Sequence, residues 1–298
     1  MSLLARYLGY PVNRLLSVTL VLIASSLVLA QQGKDVLHIG SSGSLTSSSG
    51  VKEEDALETL RGFIKEETGM ENTIVKEKNW QELTDKINKQ ELQIGVYQGY
   101  EFAWAQEKLP SLKPLMLAVR VHPFSRAFIL VKKTNPAKDF AGLAGQTLSM
   151  PAPSLGFPQL FIEREAEAAG KKLDTFFGKI SKPQEVEDAI DDVVDGVVQV
   201  TVVDQQVLTA YKRRKPGRFE KLKLVAQSLE FPPPIIAYKD KDLDEPTLQK
   251  FRDGLIKAST KERGQRMLNM FRLTSFDSPS ADFEKLLAEM RKKYPAPK

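Results

Sequence analysis

From Val36 onward, short apolar runs alternate with stretches in which apolar residues recur every three or four positions. VLHIG (36–40) reads as a strand running into a Ser/Gly loop, SSGSLTSSSG (41–50). Behind it, Ala56, Leu57, Leu60, Phe63 and Ile64 share one helical face, and Gly69 stands just past its end. Asn79 and Glu82 form a capping-box-like pair around Trp80, with Leu83 and Ile87 following at helical spacing. LQIGVY (92–97) is strand-like and leads into the helical YEFAWAQEKL.

LMLAVRV (115–121) and AFILVKK (127–133) predict two strands joined through HPFSR. A strand TLSM (147–150), a Pro/Ser/Gly loop and a helix from about Phe157 to Ala169 follow. Pro183 to Asp195 puts Val186, Ala189, Ile190, Val193 and Val194 on one helix face, opposite a row of carboxylates expected to be solvated. VVQVTVVD (197–204) is apolar on both faces, the pattern of a central, parallel strand. LKLVAQS (222–228), the proline run FPPPIIAY (231–238) and helices near 246–258, 261–270 and 281–292 complete the chain. Alternating strands and helices predict an α/β architecture with mainly parallel sheets, whose ligands sit beyond the carboxyl ends of strands. The loops 40–50, 97–101 and 150–157, with Asp204 at the end of a buried strand, describe such a cleft.

The first thirty of the 298 residues stand apart. Arg6 and Arg14 precede the apolar run LLSVTLVLIASSLVLA (15–30), and Val28 and Ala30 occupy the small-residue positions of a cleavage site. This predicts a secretory signal peptide over 1–30, with an uncleaved N-terminal anchor as the rival reading. There is no cysteine, so neither a disulfide nor a lipidated Cys holds the exported chain. The formal charge of +5 becomes +3 once Arg6 and Arg14 are removed, which gives no support to nucleic-acid binding. The one basic run, KRRKPGR (212–218), is expected to be a solvated loop.

Candidate chemistry is sparse. The histidines, His38 and His122, have no partner at metal-ligand spacing, so no metal site is expected. No phosphate-cradling P-loop or dinucleotide fingerprint is present, and no cofactor is expected. Ser154 sits on a strand-to-helix turn but lacks the G-x-S-x-G frame, and a hydrolase would need His122 brought near it. The loop SMPAPSLGFPQ (149–159) has two readings, a plain helix cap or an anion cradle. In the second, Ser154, the backbone of Gly156 and Phe157, and the open helix N-terminus hold a negative group.

In their order, VLHIG, ELQIGVYQGYEFAWAQ, SRAFILVKKTNPAKDFAGLAGQTLSM, PAPSLGFPQ, AIDDVVDGVVQVTVVD and VAQSLEFPPPII resemble the phosphate/phosphite/phosphonate-type solute-binding proteins of bacterial ABC transporters. The resemblance spans about Val36 to Tyr294 and marks a divergent member. It implies a type II periplasmic-binding-protein fold: two lobes with mainly parallel sheets, joined by a two-crossover hinge near 119–126 and 224–231. Lobe 1 is expected over 31–120 and 225–298, and lobe 2 over 121–224. The implied function is capture of a small oxyanion between the lobes for an inner-membrane permease with its ATPase, by a periplasmic, monomeric, non-enzymatic protein. A repurposed sensing domain, or a hydrolase on the same fold, stands as the alternative.

The expected ligand-binding residues are Ser42, Tyr97, Gln98, Tyr100, Ser125, Arg126, Ser154, Gly156, Phe157 and Asp204. Arg126 is equally placed for a surface ion pair, and Tyr97 and Tyr100 for core packing. Gln93 and Gln199 stand where the family carries a strand-entry Asp, and are expected to keep its backbone-bracing role. Ser125, Phe102 and Val186 replace a Tyr, a Tyr and a His of the family's site.

Overall fold

The computed structural model describes residues 36–43, 51–151, 156–183 and 185–297. The described chain starts with two βαβ steps. β1 (Val36–Ser41) lies parallel to β2 (Glu71–Lys76) on one side and to β3 (Ile94–Tyr97) on the other. Helix α1 (Glu53–Thr68) carries three carboxylates in its first turn, and Gly69 ends it in the left-handed conformation at φ 75°. Helix α2 (Trp80–Asn88) is capped by Asn79, whose side chain accepts from the Glu82 amide at 2.9 Å. α3 (Gly99–Lys108) and β4 (Leu112–Val119) follow, and the chain then leaves this sheet.

The second sheet takes β5 (Ala127–Lys132), β6 (Thr147–Ser149), β7 (Lys179–Ser181), β8 (Val200–Asp204) and β9 (Leu222–Gln227), in the order β7-β6-β8-β5-β9. Its helices are α4 (Phe157–Ala168), α5 (Leu173–Phe176), α6 (Val186–Asp195), α7 (Gln205–Arg214) and α8 (Pro216–Phe219). The chain returns through β10 (Ile235–Lys239), α9 (Glu245–Ile256), α10 (Glu262–Met270), β11 (Ser275–Asp277) and α11 (Phe283–Lys293). The first sheet thus reads β11-β4-β10-β3-β1-β2.

Both sheets are mixed, with most strands of each running one way, as the expectation of mainly parallel sheets has it. β8 runs parallel to β6 but antiparallel to β5. All five β8 residues from Val200 to Asp204 are buried, so its apolar run reported burial on both faces and not direction. The reversed strands are β10 and β11 in the first sheet and β5 in the second, and two of them, β5 and β10, adjoin the connections between sheets. The two connections are themselves tied together by a bridge between Ser125 and Phe231. In it the Phe231 amide donates to the Ser125 carbonyl at 2.8 Å, and the Ser125 amide returns to Phe231 at 3.1 Å.

Two further expectations are revised. KRRKPGR is not a loop: its first residues close α7 and Pro216–Phe219 forms α8. The carboxylates of α6 are not merely solvated, because this basic corner meets them. Asp191 accepts from Tyr211 Oη at 2.7 Å, Lys215 Nζ at 2.6 Å and Arg218 Nε at 2.6 Å. Arg218 also reaches Asp195 at 2.8 Å, and Glu187 pairs with Lys215 at 2.8 Å and with Arg214.

An aromatic seam runs between the two halves. Tyr100 packs edge-on against Trp104 at 5.1 Å and against Phe231 at 6.2 Å, and Phe231 meets Phe157 at 5.0 Å and Tyr294 at 4.8 Å. The chain end fastens to both sides of this seam. Trp104 Nε1 donates to the Tyr294 carbonyl at 2.7 Å, and Arg164 Nη2 to that of Pro295 at 2.6 Å. The segment 1–30 lies outside the described residues. Among those described, no helix is long and apolar enough to cross a membrane.

Candidate functional site

At the crossovers a cavity of about 50 Å³ is lined by Gln98, Arg120, His122, Ser125, Phe157 and Asp204, with the proline run of the second crossover closing one side. It collects the ends of strands from both sheets and the starts of three helices. Gln98 precedes α3, Phe157 opens α4 and Asp204 precedes α7. The local sequence explains each placement. Asp204 ends β8 and caps α7, its carboxylate accepting from the Val207 amide at 2.8 Å. Gln98 starts α3, where its amide donates to Glu101 Oε2 at 3.2 Å. Phe157 follows Gly156, whose φ of 65° turns the chain into α4, and Pro158 fits the first turn because its missing N–H would have no partner there.

The electrostatics of this cavity are unbalanced. Burial pushes the Asp204 carboxyl up, and the Val207 and Gln206 amides with the charges of Arg120 and His122 only partly oppose it. Burial likewise lowers the Arg120 guanidinium; Asp204 offsets this in part, while Arg272 adds to it. Arg120 Nε and His122 Nε2 are covered by protein and have no hydrogen-bond partner. Among the described residues, no group of three or more His, Cys, Asp or Glu gathers as a metal site.

The residues named from sequence divide into three groups. Gln98, Ser125, Phe157 and Asp204 line the cavity together. Gly156 and Tyr100 stand beside it in contact with one another: a Cβ at Gly156 would overlap the Tyr100 hydroxyl. The remaining positions serve elsewhere. Tyr97 is fully buried, its hydroxyl 3.2 Å from Thr84 Oγ1, so it packs in the core instead of lining the cleft. Ser42 donates its hydroxyl to Glu101, a carboxyl raised by burial. Arg126 forms an ion pair with Glu230 at 3.1 Å on the surface. Ser154 lies outside the described residues, as does the loop 44–50.

Gln93 and Gln199 do brace the backbone. Gln93 Oε1 accepts from the His38 amide at 2.9 Å, and Gln199 Oε1 from that of Thr147 at 2.7 Å. Sequence reasoning missed Arg120 as a cleft residue and considered His122 only as a catalytic base. The available signal was a lone cation closing the otherwise apolar run LMLAV, two residues before a His-Pro turn.

A sequence model described as "ABC transporter, phosphonate, periplasmic substrate-binding protein" matches residues 43–283. No match is found among curated proteins. Among solved structures, XAC2383 from Xanthomonas citri bound to chloride is similar at a TM-score of 0.65 and 14% identity, over 88% of this chain and 98% of that one. PhnD1 from Prochlorococcus marinus in complex with methylphosphonate is similar at 0.58 and 15%, over 87% and 98%. The binding component of an ABC phosphonate transporter from Pseudomonas aeruginosa is similar at 0.56 and 13%, over 86% and 85%.

Proposed function

The chain belongs to the phosphonate family of periplasmic ABC-transporter substrate-binding proteins, and we propose that it captures a small oxyanion between its lobes for delivery to an inner-membrane permease. The family is one of binding proteins and not of enzymes, and its periplasmic placement implies export. The lobes divide at the crossovers, the first between β4 and β5 and the second between β9 and β10, so that β9, which the expected boundary at 224 would split, belongs wholly to lobe 2. Ligand is held by donors and charge without a covalent step, and hinge closure buries it.

One observation carries this reading. The crossover cavity combines Arg120, whose Nε is covered and unpartnered, with helix starts from both lobes, in a volume of about 50 Å³. That volume admits a few water-sized groups, since on this measure one water needs about 10–15 Å³. It suits a compact head group. Methylphosphonate, the ligand of the Prochlorococcus protein, is of this size and charge class.

The test is thermal unfolding of the exported protein with phosphate, phosphite, methylphosphonate, sulfate and acetate. A specific ligand at a hundredfold excess over its Kd stabilises the folded state by about 2.7 kcal/mol. A raised midpoint with at least one oxyanion is expected, and no shift with any of them contradicts the proposal.

A further inference from the structure

The family's landmark loops and its Asp204 position leave Arg120 and His122 unexplained. Both belong to the first crossover, between β4 and β5, and both face the cavity that Asp204 faces from the end of β8. Arg120 Nε and His122 Nε2 are covered and unpartnered, an arrangement that is costly to retain in a folded protein unless something else meets those groups. Arg120 and Asp204 each influence the other's charge, yet no ion pair closes between them. The Asp204 carboxylate is anchored on the Val207 amide, which fixes its direction. Two nitrogens and a carboxylate therefore stand around one small space without satisfying each other.

We infer that Arg120 and His122 hold the oxygens of the bound anion, and that Asp204 accepts a proton the ligand itself carries. The inference rests on the oxyanion reading above and deepens it: the site selects protonated phosphonate- or phosphate-type anions over sulfonates. Arg120 presents N–H donors to the anion, and His122 donates through Nε2 in the tautomer or cation that carries hydrogen there. A phosphonate monoanion offers acceptor oxygens to these donors and one O–H to Asp204. A sulfonate has the same tetrahedral shape and no O–H, so a bare oxygen would face the carboxylate. Affinity thus comes from the crossover, and discrimination from the end of β8.

Titration calorimetry of the exported protein with methylphosphonate and methanesulfonate tests this. Wild type is compared with Arg120→Gln, His122→Gln and Asp204→Asn, and each variant is first melted without ligand to establish that it folds. Asn caps a helix as well as Asp, so Asp204→Asn is expected to keep α7. Wild type is expected to prefer methylphosphonate by about tenfold or more, the scale of one hydrogen bond to a charged group. Arg120→Gln and His122→Gln should each weaken methylphosphonate binding, Arg120→Gln by about tenfold or more. Asp204→Asn should narrow the preference by strengthening methanesulfonate. Should Arg120→Gln fail to fold, Arg120→Lys retains the charge without the planar fork and is expected to lose affinity in the same direction.

Unchanged affinity in folded Arg120 and His122 variants would overturn the residue assignment while leaving the oxyanion function standing. Equal wild-type affinity for the two ligands would overturn the selectivity. Failure of wild type to bind any oxyanion in the unfolding panel would instead remove the function on which both rest.

Discussion

On the second lobe's surface, α6 and the α7–α8 corner bring carboxylates and cations together until they match one another: Asp191 alone accepts from Tyr211, Lys215 and Arg218. At the crossovers, Arg120 Nε and His122 Nε2 are covered by protein and have no hydrogen-bond partner, and Asp204 beside them is bound to the Val207 amide instead of to either cation. The first cluster is exposed enough that water would have served its charges, yet it satisfies them internally. The second holds two nitrogens that protein covers, where an unmet polar group is most costly, and they stay unsatisfied. Charges that saturate each other support the fold, whereas covered charges that do not are held ready for a ligand.

The largest effect that would break this contrast is at Arg120. Arg120→Gln is expected to lower methylphosphonate affinity about tenfold or more while leaving ligand-free stability equal or higher, since it removes an uncompensated buried charge. A fall in ligand-free melting point comparable to that of a core substitution would place Arg120 with the structural cluster instead. Next comes Gly156→Ala, which forces a side chain onto a positive φ and into the Tyr100 hydroxyl. It is expected to lose about 1–3 kcal/mol of stability, read from denaturant unfolding.

Asp191→Asn sharpens the comparison from the other side. It is expected to lose about 1–2 kcal/mol of stability without altering ligand affinity. Burial pushes the Asp191 carboxyl up, but hydrogen bonds from Lys215, Tyr211 and Arg218 outweigh it and hold the group below its ordinary value. Its contribution is therefore complete above about pH 4 and is lost as the pH falls through the depressed value. Asp204 runs the opposite way: its raised carboxyl contributes fully below about pH 4, and that contribution is lost as pH rises through the raised value. Melting curves across pH should show Asp204→Asn gaining on wild type as pH rises, and Asp191→Asn losing ground over the same change. The smallest effect belongs to the exposed Arg126–Glu230 pair. Arg126→Ala should change stability by less than about 1 kcal/mol and leave affinity unchanged, as calorimetry would read.

Much of the frame was legible because burial leaves a pattern. VLHIG, LQIGVY, AFILVKK and VVQVTVVD each hold a strand, and Asn79 caps α2 as its spacing implied. β2 escaped notice because ENTIVK lies at a sheet edge, where most of its positions stay exposed. α7 escaped because only Tyr211 is buried along it, and its basic tail read as a loop. The two charge runs were visible as separate features; their pairing depends on α6 packing beside α7 and α8, which no local spacing encodes. The same holds for the site. Gln98, Ser125, Phe157 and Asp204 came from landmark positions, whereas the importance of Arg120 and His122 lies in what fails to reach them.

The histidines provide the most direct measurement. The chain contains only His38 and His122, and His38 Nδ1 is 2.8 Å from Thr73 Oγ1 in the first sheet. Imidazole NMR of the exported protein therefore shows two assignable rings, with His122→Gln identifying the second. On titration with methylphosphonate, the His122 ring signals are expected to move to saturation while those of His38 stay in place. A ligand that binds by calorimetry yet leaves the His122 ring unmoved would contradict the account.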